Sequence, residues 1–272
     1  MDERAIGIFD SGLGGLCAVR EAANILPGEH IVYFGDSGRV PYGSRSYEII
    51  QKYARQAMAF LESKQVKIAL VACGTVSSVA MEYLKETFPE IPIIGVVESA
   101  CQKAVKIAGE TKNKKIGVIG TEATIKKGAY ESCISKLDAE CEVYGKACPL
   151  FVPLVECGNM DGDEITKLAA ERYLGEFKHL NLSSLVLGCT HYPFIKKTIG
   201  AIAQTTLIDV GLEAVRALAG ELEARKMANT PGKKAPPEIY VSDEALNFSR
   251  IASNFLGFDI GGGLNKIDIE KF

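Results

Sequence analysis

Leu185-Val186-Leu187-Gly188-Cys189-Thr190-His191-Tyr192-Pro193 is the stretch from which the fold can be read. Its apolar opening predicts a buried parallel strand, and Gly188 ends it. Cys189 then falls where strand gives way to helix, with Thr190 and His191 beside it. In open α/β sheets ligands bind beyond the carboxyl ends of the strands. A thiol at that place, next to an imidazole, is set for chemistry rather than for packing. Ile68-Ala69-Leu70-Val71-Ala72 is another apolar strand, and Cys73-Gly74-Thr75 follows it. Two strand-end cysteines, each with a threonine within two residues, suggest two similar domains facing each other, each presenting one thiol.

Outward from these units, strands and helices alternate along the whole chain. Residues 5–9 read as a strand, Asp10-Ser11-Gly12-Leu13-Gly14-Gly15 as a glycine-rich turn, and 16–26 as a helix closed by Pro27-Gly28. That turn is similar to an anion-binding loop, but it matches neither common nucleotide fingerprint, and its glycines can equally serve a tight turn. Asp10, an acid at a strand end, faces the ligand crevice. After a strand at 30–35 comes a polar loop with Pro41-Tyr42-Gly43, then a helix at 46–63 whose Tyr47 and Tyr53 fall on its packing face. Tyr42, between Pro and Gly in a loop, faces a site instead. A helix over 76–88, a strand at 93–97, a helix at 98–108 and a strand at 116–119 follow. Gly120-Thr121 opens the next helix, and 142–146 is a strand. Residues 148–156 carry two prolines, poor strand material, and are expected to form a loop ending on Glu156, a candidate site carboxylate or a turn cap. Helices at 163–177, 192–203 and 211–225 and a strand at 207–210 come next. The Pro/Gly/Lys-rich 226–237 segment is a surface connection, followed by a strand at 238–241 and a helix at 243–256. The tail from Gly261-Gly262-Gly263 onward is expected to be poorly ordered. The alternation makes the fold α/β with mainly parallel sheets.

Composition narrows the function. At 272 residues the chain suits one large or two modest domains. A net charge of −3 provides no basic footprint for nucleic acid. No apolar run reaches the ~20 residues of a membrane span. Met1-Asp2-Glu3-Arg4 leads straight into a strand, so no signal peptide is expected and the cytoplasm is the default location. The eight cysteines show neither a CxxC pair nor zinc-ligand spacing. Each is by default a small buried hydrophobe, and only position raises Cys73 and Cys189 above that default.

Asp10-Ser11-Gly12-Leu13-Gly14-Gly15, Pro41-Tyr42-Gly43, Ala72-Cys73, Gly120-Thr121, Pro153-Leu154-Val155-Glu156 and Gly188-Cys189-Thr190-His191-Tyr192-Pro193 are spread in order over nearly the whole chain. Together they resemble the glutamate racemases of the cofactor-independent aspartate/glutamate racemase superfamily. The resemblance implies two flavodoxin-like parallel-sheet domains with pseudo-twofold symmetry and the active site between them. Residues 1–97 with 211–272 would form the first domain, and 98–210 the second. It implies interconversion of L- and D-glutamate, with D-glutamate supplied for peptidoglycan biosynthesis, and a homodimer needing neither metal nor cofactor. It places Cys73 as the base towards D-glutamate and Cys189 towards L-glutamate, with Asp10, His191 and Glu156 assisting. Ser11, Tyr42, Gly43, Gly74, Thr75 and Thr190, with Asp10 and His191, would hold the substrate.

The chemistry fits that assignment, because racemisation needs an acid and a base on opposite faces of Cα. One departure stands out. The family usually reads Ala-Cys-Asn-Thr at the first thiol, where this chain has Ala72-Cys73-Gly74-Thr75. A glycine there is expected to leave open volume, to offer its backbone N–H, to let Ser77 reach in, and to accept asparagine. Three rival readings remain at this level: a Cys/His/Asp hydrolase with Cys189 as nucleophile, a non-catalytic amino-acid-binding module, and a racemase of aspartate or another amino acid.

Overall fold

The computed structural model describes residues 2–229, 236–244, 248–257 and 263–272. Its strands are β1 (Ile6–Asp10), β2 (Ile31–Gly35), β3 (Ile68–Val71), β4 (Ile93–Gly95), β5 (Lys115–Gly120), β6 (Glu142–Ala147), β7 (Ser184–Leu187), β8 (Thr206–Asp209), β9 (Glu238–Val241) and β10 (Leu264–Lys266). They form two sheets, β10-β9-β2-β1-β3-β4 and β6-β5-β7-β8. Every pairing among the described residues is parallel. The helices are α1 (Leu16–Ile25), α2 (Tyr47–Ser63), α3 (Gly74–Val79), α4 (Met81–Thr87), α5 (Val96–Thr111), α6 (Glu122–Lys127), α7 (Ala129–Leu137), α8 (Phe151–Glu156), α9 (Glu164–Leu174), α10 (Lys196–Ala203), α11 (Val210–Ala224) and α12 (Phe248–Leu256).

The order β2-β1-β3-β4 in one sheet recurs as β6-β5-β7-β8 in the other. The duplication puts β3, which leads two residues on to Cys73, and β7, which leads two residues on to Cys189, in the same topological place. In both, the second strand lies on one side of the first and the third on the other, so the crevice at that reversal is where ligands are expected.

Both faces of the first sheet are apolar, as helices on both sides require. Ile6, Ile8, Ile68 and Leu70 point into one buried cluster, while Phe9, Val32, Phe34, Ala69 and Val71 point into another beneath α2. Each fully buried side chain of this size contributes roughly 1.5–3 kcal/mol. The first cluster continues through α1, α5 and α11 into the second sheet. Helix α5 carries the chain from the first sheet to the second, α11 carries it back, and the two pack on each other.

Four expectations are corrected here. Residues 148–156 are not a loop throughout, because 151–156 form α8. Pro153 is its third residue, in the first turn, where the missing N–H has no intrahelical acceptor to lose. The helix expected at 76–88 begins at Gly74 and breaks at Ala80, whose φ of −119° and ψ of 0° separate α3 from α4. The tail is ordered from Leu264 on: β10 pairs with β9, and Ile269–Lys271 make a 3-10 turn capped by Asp268. Gly261 and Gly262 lie outside the described residues, as does part of the 226–237 connection. Of the helix expected from 243, Asp243 and Glu244 are not helical, and the described part runs Phe248–Leu256.

Candidate active site

Cys73 lies two residues beyond β3 in extended conformation (φ −82°, ψ 119°) and caps the N-terminus of α3. Cys189 stands one residue beyond Gly188 at the end of β7, and a 3-10 turn, Tyr192–Ile195, follows it. Both thiols line one cavity of about 240 Å³. Ser11, Tyr42, Gly43, Gly74, Thr75, Glu156, Thr190 and His191 share its wall. Of the residues singled out from sequence, Asp10 alone is not on the wall. It is fully buried one layer back, where Oδ2 accepts from the Gly12 N–H at 2.9 Å and Oδ1 from the Thr190 hydroxyl at 3.4 Å. A carboxylate on the first sheet thereby fixes a side chain beside the second thiol.

The surroundings of the two thiols differ. The Cys73 thiol donates to the Ser11 hydroxyl at 3.3 Å. Burial first, and the Asp10 carboxylate second, push it up to about 12 against the Ser11 hydroxyl and the Val76 N–H. This thiol holds its proton. Cys189 has a basic neighbour instead. His191 Nδ1 is 3.7 Å from its sulfur, and His191 Nε2 is 3.1 Å from Glu156 Oε1. Burial alone would favour neutral imidazole, but the bonds to Cys189 and Glu156 outweigh it and hold His191 well above its ordinary value. An imidazolium beside a sulfur stabilises negative charge there.

Close backbone approach explains two glycines. A Cβ on Gly14 would fall on Thr190 Oγ1 and within 2.6 Å of His191 Nδ1, so the glycine-rich turn makes room for the second thiol's neighbours. A Cβ on Gly74 would press well inside van der Waals contact on the Gly188 carbonyl oxygen and stand 3.0 Å from its carbon. The expected open volume is therefore absent: the carbonyl preceding Cys189 occupies it. Ser77 does not reach in, since its hydroxyl donates to Val71 O and accepts from the Val96 N–H.

Sequence reasoning left several wall residues unassigned: Val40, Thr121, Glu122, Cys148 and Val152 among them. Thr121 follows β5 as Ser11 follows β1, and its hydroxyl is 3.0 Å from that of Thr75. The repeated strand order was the signal that could have found it. Gly43 O accepts from the Ala123 N–H at 3.1 Å, so the 40–43 loop is pinned across the cleft. Among the described residues no group of three or more His, Cys, Asp or Glu is arranged to hold a metal ion, and no helix is long and apolar enough to cross a membrane.

The Asp/Glu/Hydantoin racemase family model matches residues 17–218. The glutamate racemase of Chlorobaculum tepidum is 46% identical over 258 residues, spanning 94% of this chain and 93% of that one. The glutamate racemase of Francisella tularensis, solved in complex with D-glutamate, superposes with a TM-score of 0.93 at 38% identity over 100% of both chains. That of Thermus thermophilus, solved with beta-chloro-D-alanine, superposes with a TM-score of 0.88 at 35% identity, again over 100% of both chains.

Proposed function

The chain belongs to the Asp/Glu/hydantoin racemase family, and from that premise we propose that it interconverts L- and D-glutamate by proton transfer between Cys73, Cys189 and substrate Cα. The observation that carries the reading is the pair of thiols, delivered by equivalent strand ends of two sheets, lining one cavity with opposite electrostatic neighbours. The assignment of faces rests on the resemblance to glutamate racemases.

Towards L-glutamate, Cys189 acts as thiolate with the His191 imidazolium beside it. Its sulfur takes the α-proton, the C–H bond breaks, and the electron pair spreads into the α-carboxylate. The Cys73 S–H bond then gives its proton to the opposite face, leaving D-glutamate, a Cys189 thiol and a Cys73 thiolate. The reverse direction exchanges the roles. Burial and the Asp10 carboxylate keep Cys73 an acid before the substrate reacts, and Glu156 keeps His191 charged. Ser11, Tyr42, Thr75, Thr190 and backbone N–H groups of Gly43 and Gly74 hold the substrate's charged groups. Enclosure strengthens each of these interactions, because water is kept from the reacting atoms.

Residues 1–97 with 211–272 form one domain in this reading and 98–210 the other, a division supported by which strands join which sheet. The setting is a cytoplasmic homodimer supplying D-glutamate for peptidoglycan, inferred from the resemblance. Polarimetry on metal-stripped protein without added cofactor tests the activity. Either enantiomer of glutamate should relax to an equal mixture, with aspartate unchanged. Conversion of aspartate alone, no conversion of either, or strict dependence on added pyridoxal phosphate would overturn the reading.

A further inference from the structure

Behind the cavity lies a polar chain that the reaction does not use directly. Tyr42 is 1% exposed, and its hydroxyl donates to Asp36 Oδ2. Asp36 follows β2, is fully buried, and accepts on the same oxygen from Arg39 Nε at 2.7 Å. Arg39 Nη1 continues to Gln56 Oε1 at 2.6 Å and to Glu270 Oε1 at 3.0 Å. Its guanidinium lies 4.0 Å over the Tyr53 ring, which packs against Tyr42 with centroids 5.3 Å apart. Gln56 Nε2 returns to Glu270 Oε2 at 3.2 Å. The far end of this chain is therefore the turn Ile269–Lys271, held down by buried Ile269 and by Phe272 set edge-on to Phe60.

We propose that Asp36, Arg39 and Glu270 are positioning residues, through which the C-terminal turn fixes Tyr42 and the 40–43 loop against the substrate. The inference rests on the proposed racemisation for the identity of the substrate. Its physical basis is the fixed geometry of the guanidinium fork. The Arg39 guanidinium sits between the buried Asp36 carboxylate and the Glu270 carboxylate, and a planar fork holds two such partners in fixed directions. With Glu270 gone, Arg39 keeps only Gln56 on that side. The loop that Tyr42 belongs to then keeps the Ala123 N–H across the cleft, but behind it the brace runs through Gln56 alone and no longer reaches the C-terminal turn by way of Arg39.

Glu270 is the group to remove, because its side chain is 59% exposed and the fold does not depend on burying it. Glu270→Ala should raise KM for both glutamate enantiomers about three- to tenfold with kcat within about twofold. Glu270→Gln, which keeps an oxygen facing Arg39, should recover most of that loss. Arg39→Lys, which keeps the charge but not the fork, should raise KM at least as far. Calorimetric titration of Glu270→Ala with D-glutamate should show a matching rise in Kd, a readout that needs no turnover. Unchanged KM and Kd, or a lowered melting temperature with KM unchanged, would reduce the chain to a structural tie and overturn the proposal. A wild-type protein that binds D-glutamate without racemising it would overturn the proposed function alone, leaving the Kd ratio to decide this one.

Discussion

Cys73 and Cys189 occupy equivalent places in a repeated strand order, yet their surroundings differ. The first is buried with an anion behind it, and is pushed up to about 12 against the hydroxyl at 3.3 Å. The second has an imidazole at 3.7 Å that leans on a carboxylate. Duplication of a fold supplies two thiols with facing geometry, but it would supply them with the same protonation. A transfer across Cα needs one proton present and one absent. In the proposed reaction the neighbours that set the two thiols apart are Asp10 from β1 behind Cys73, and beside Cys189 the His191 imidazole backed by Glu156 from α8.

The contrast can be broken most severely at the thiols. Cys73→Ala and Cys189→Ala should each lower racemisation by about 10³-fold or more in both directions, since each removes one acid/base. The halves should then separate. In deuterium oxide, Cys73→Ala should still exchange the α-proton of L-glutamate, and Cys189→Ala that of D-glutamate, as followed by proton NMR. Exchange of both enantiomers by either variant would show that the thiols do not each own one face.

Next comes Gly74→Ala. Its methyl would displace the Gly188 carbonyl, which leads directly into Cys189. A shift of this kind at reacting groups can cost about 10²-fold in kcat/KM. Near-wild-type kcat/KM would mean that the two thiol loops do not set each other's position. Asparagine, acceptable from sequence alone, is expected to fare no better.

Glu156→Gln should act more mildly, by about tenfold in kcat/KM, the scale of one hydrogen bond to a charged group. It removes one of the two partners that hold His191 above its ordinary value. The imidazolium then loses its proton at lower pH, and the alkaline edge of the pH–rate profile moves down. The sign for stability follows. A raised folded pKa contributes fully below the unfolded value of about 6.5 and fades as pH rises through the folded value. Chemical denaturation should therefore show the largest deficit of Glu156→Gln on the acid side. An unmoved alkaline edge would detach Glu156 from His191.

The smallest expected effect is none at all. Enantiomers have equal free energy in water, so kcat/KM must be the same in both directions at every pH. The different thiol environments can appear only as a kcat and a KM that shift together, and full progress curves from each enantiomer check this. Equal kcat and equal KM in both directions across the pH range would mean that the asymmetry of the free site does not survive substrate binding.

Much of this site could be read before the structure, because strand-end cysteines follow apolar runs whose burial needs no tertiary information. What escaped depended on neighbours distant in sequence. The helix at Phe151–Glu156 was hidden by two prolines, although a proline in a first turn has no hydrogen bond to break. The three-residue strand Leu264–Lys266 exists because β9 offers it an edge, and three residues carry too little pattern to show this alone. Gly74 was legible as a departure from the family, but its reason was a carbonyl 114 positions away. Asp36 and Arg39 sat in a polar loop whose link to Glu270 no local pattern records.

The strand order of the first sheet also has a consequence for the order in which the chain acquires structure during synthesis. Val32 on β2 pairs with Glu238 on β9, 206 positions later. The β5–β8 sheet, by contrast, is built from one uninterrupted stretch, residues 115–209. At about 5–20 residues per second, the outer edge of β2 waits roughly 10–40 s for its partner to be made. The four-stranded sheet can close in that interval, while β2 is an unpaired edge exposed to other nascent chains. Ribosome-stalled chains ending near residue 245, in which β8 has left the exit tunnel and β9 has not, should accordingly show protease protection over 115–209 without protection over 6–35. Equal protection of both stretches at that length would mean that β1–β4 stand without the returning strands.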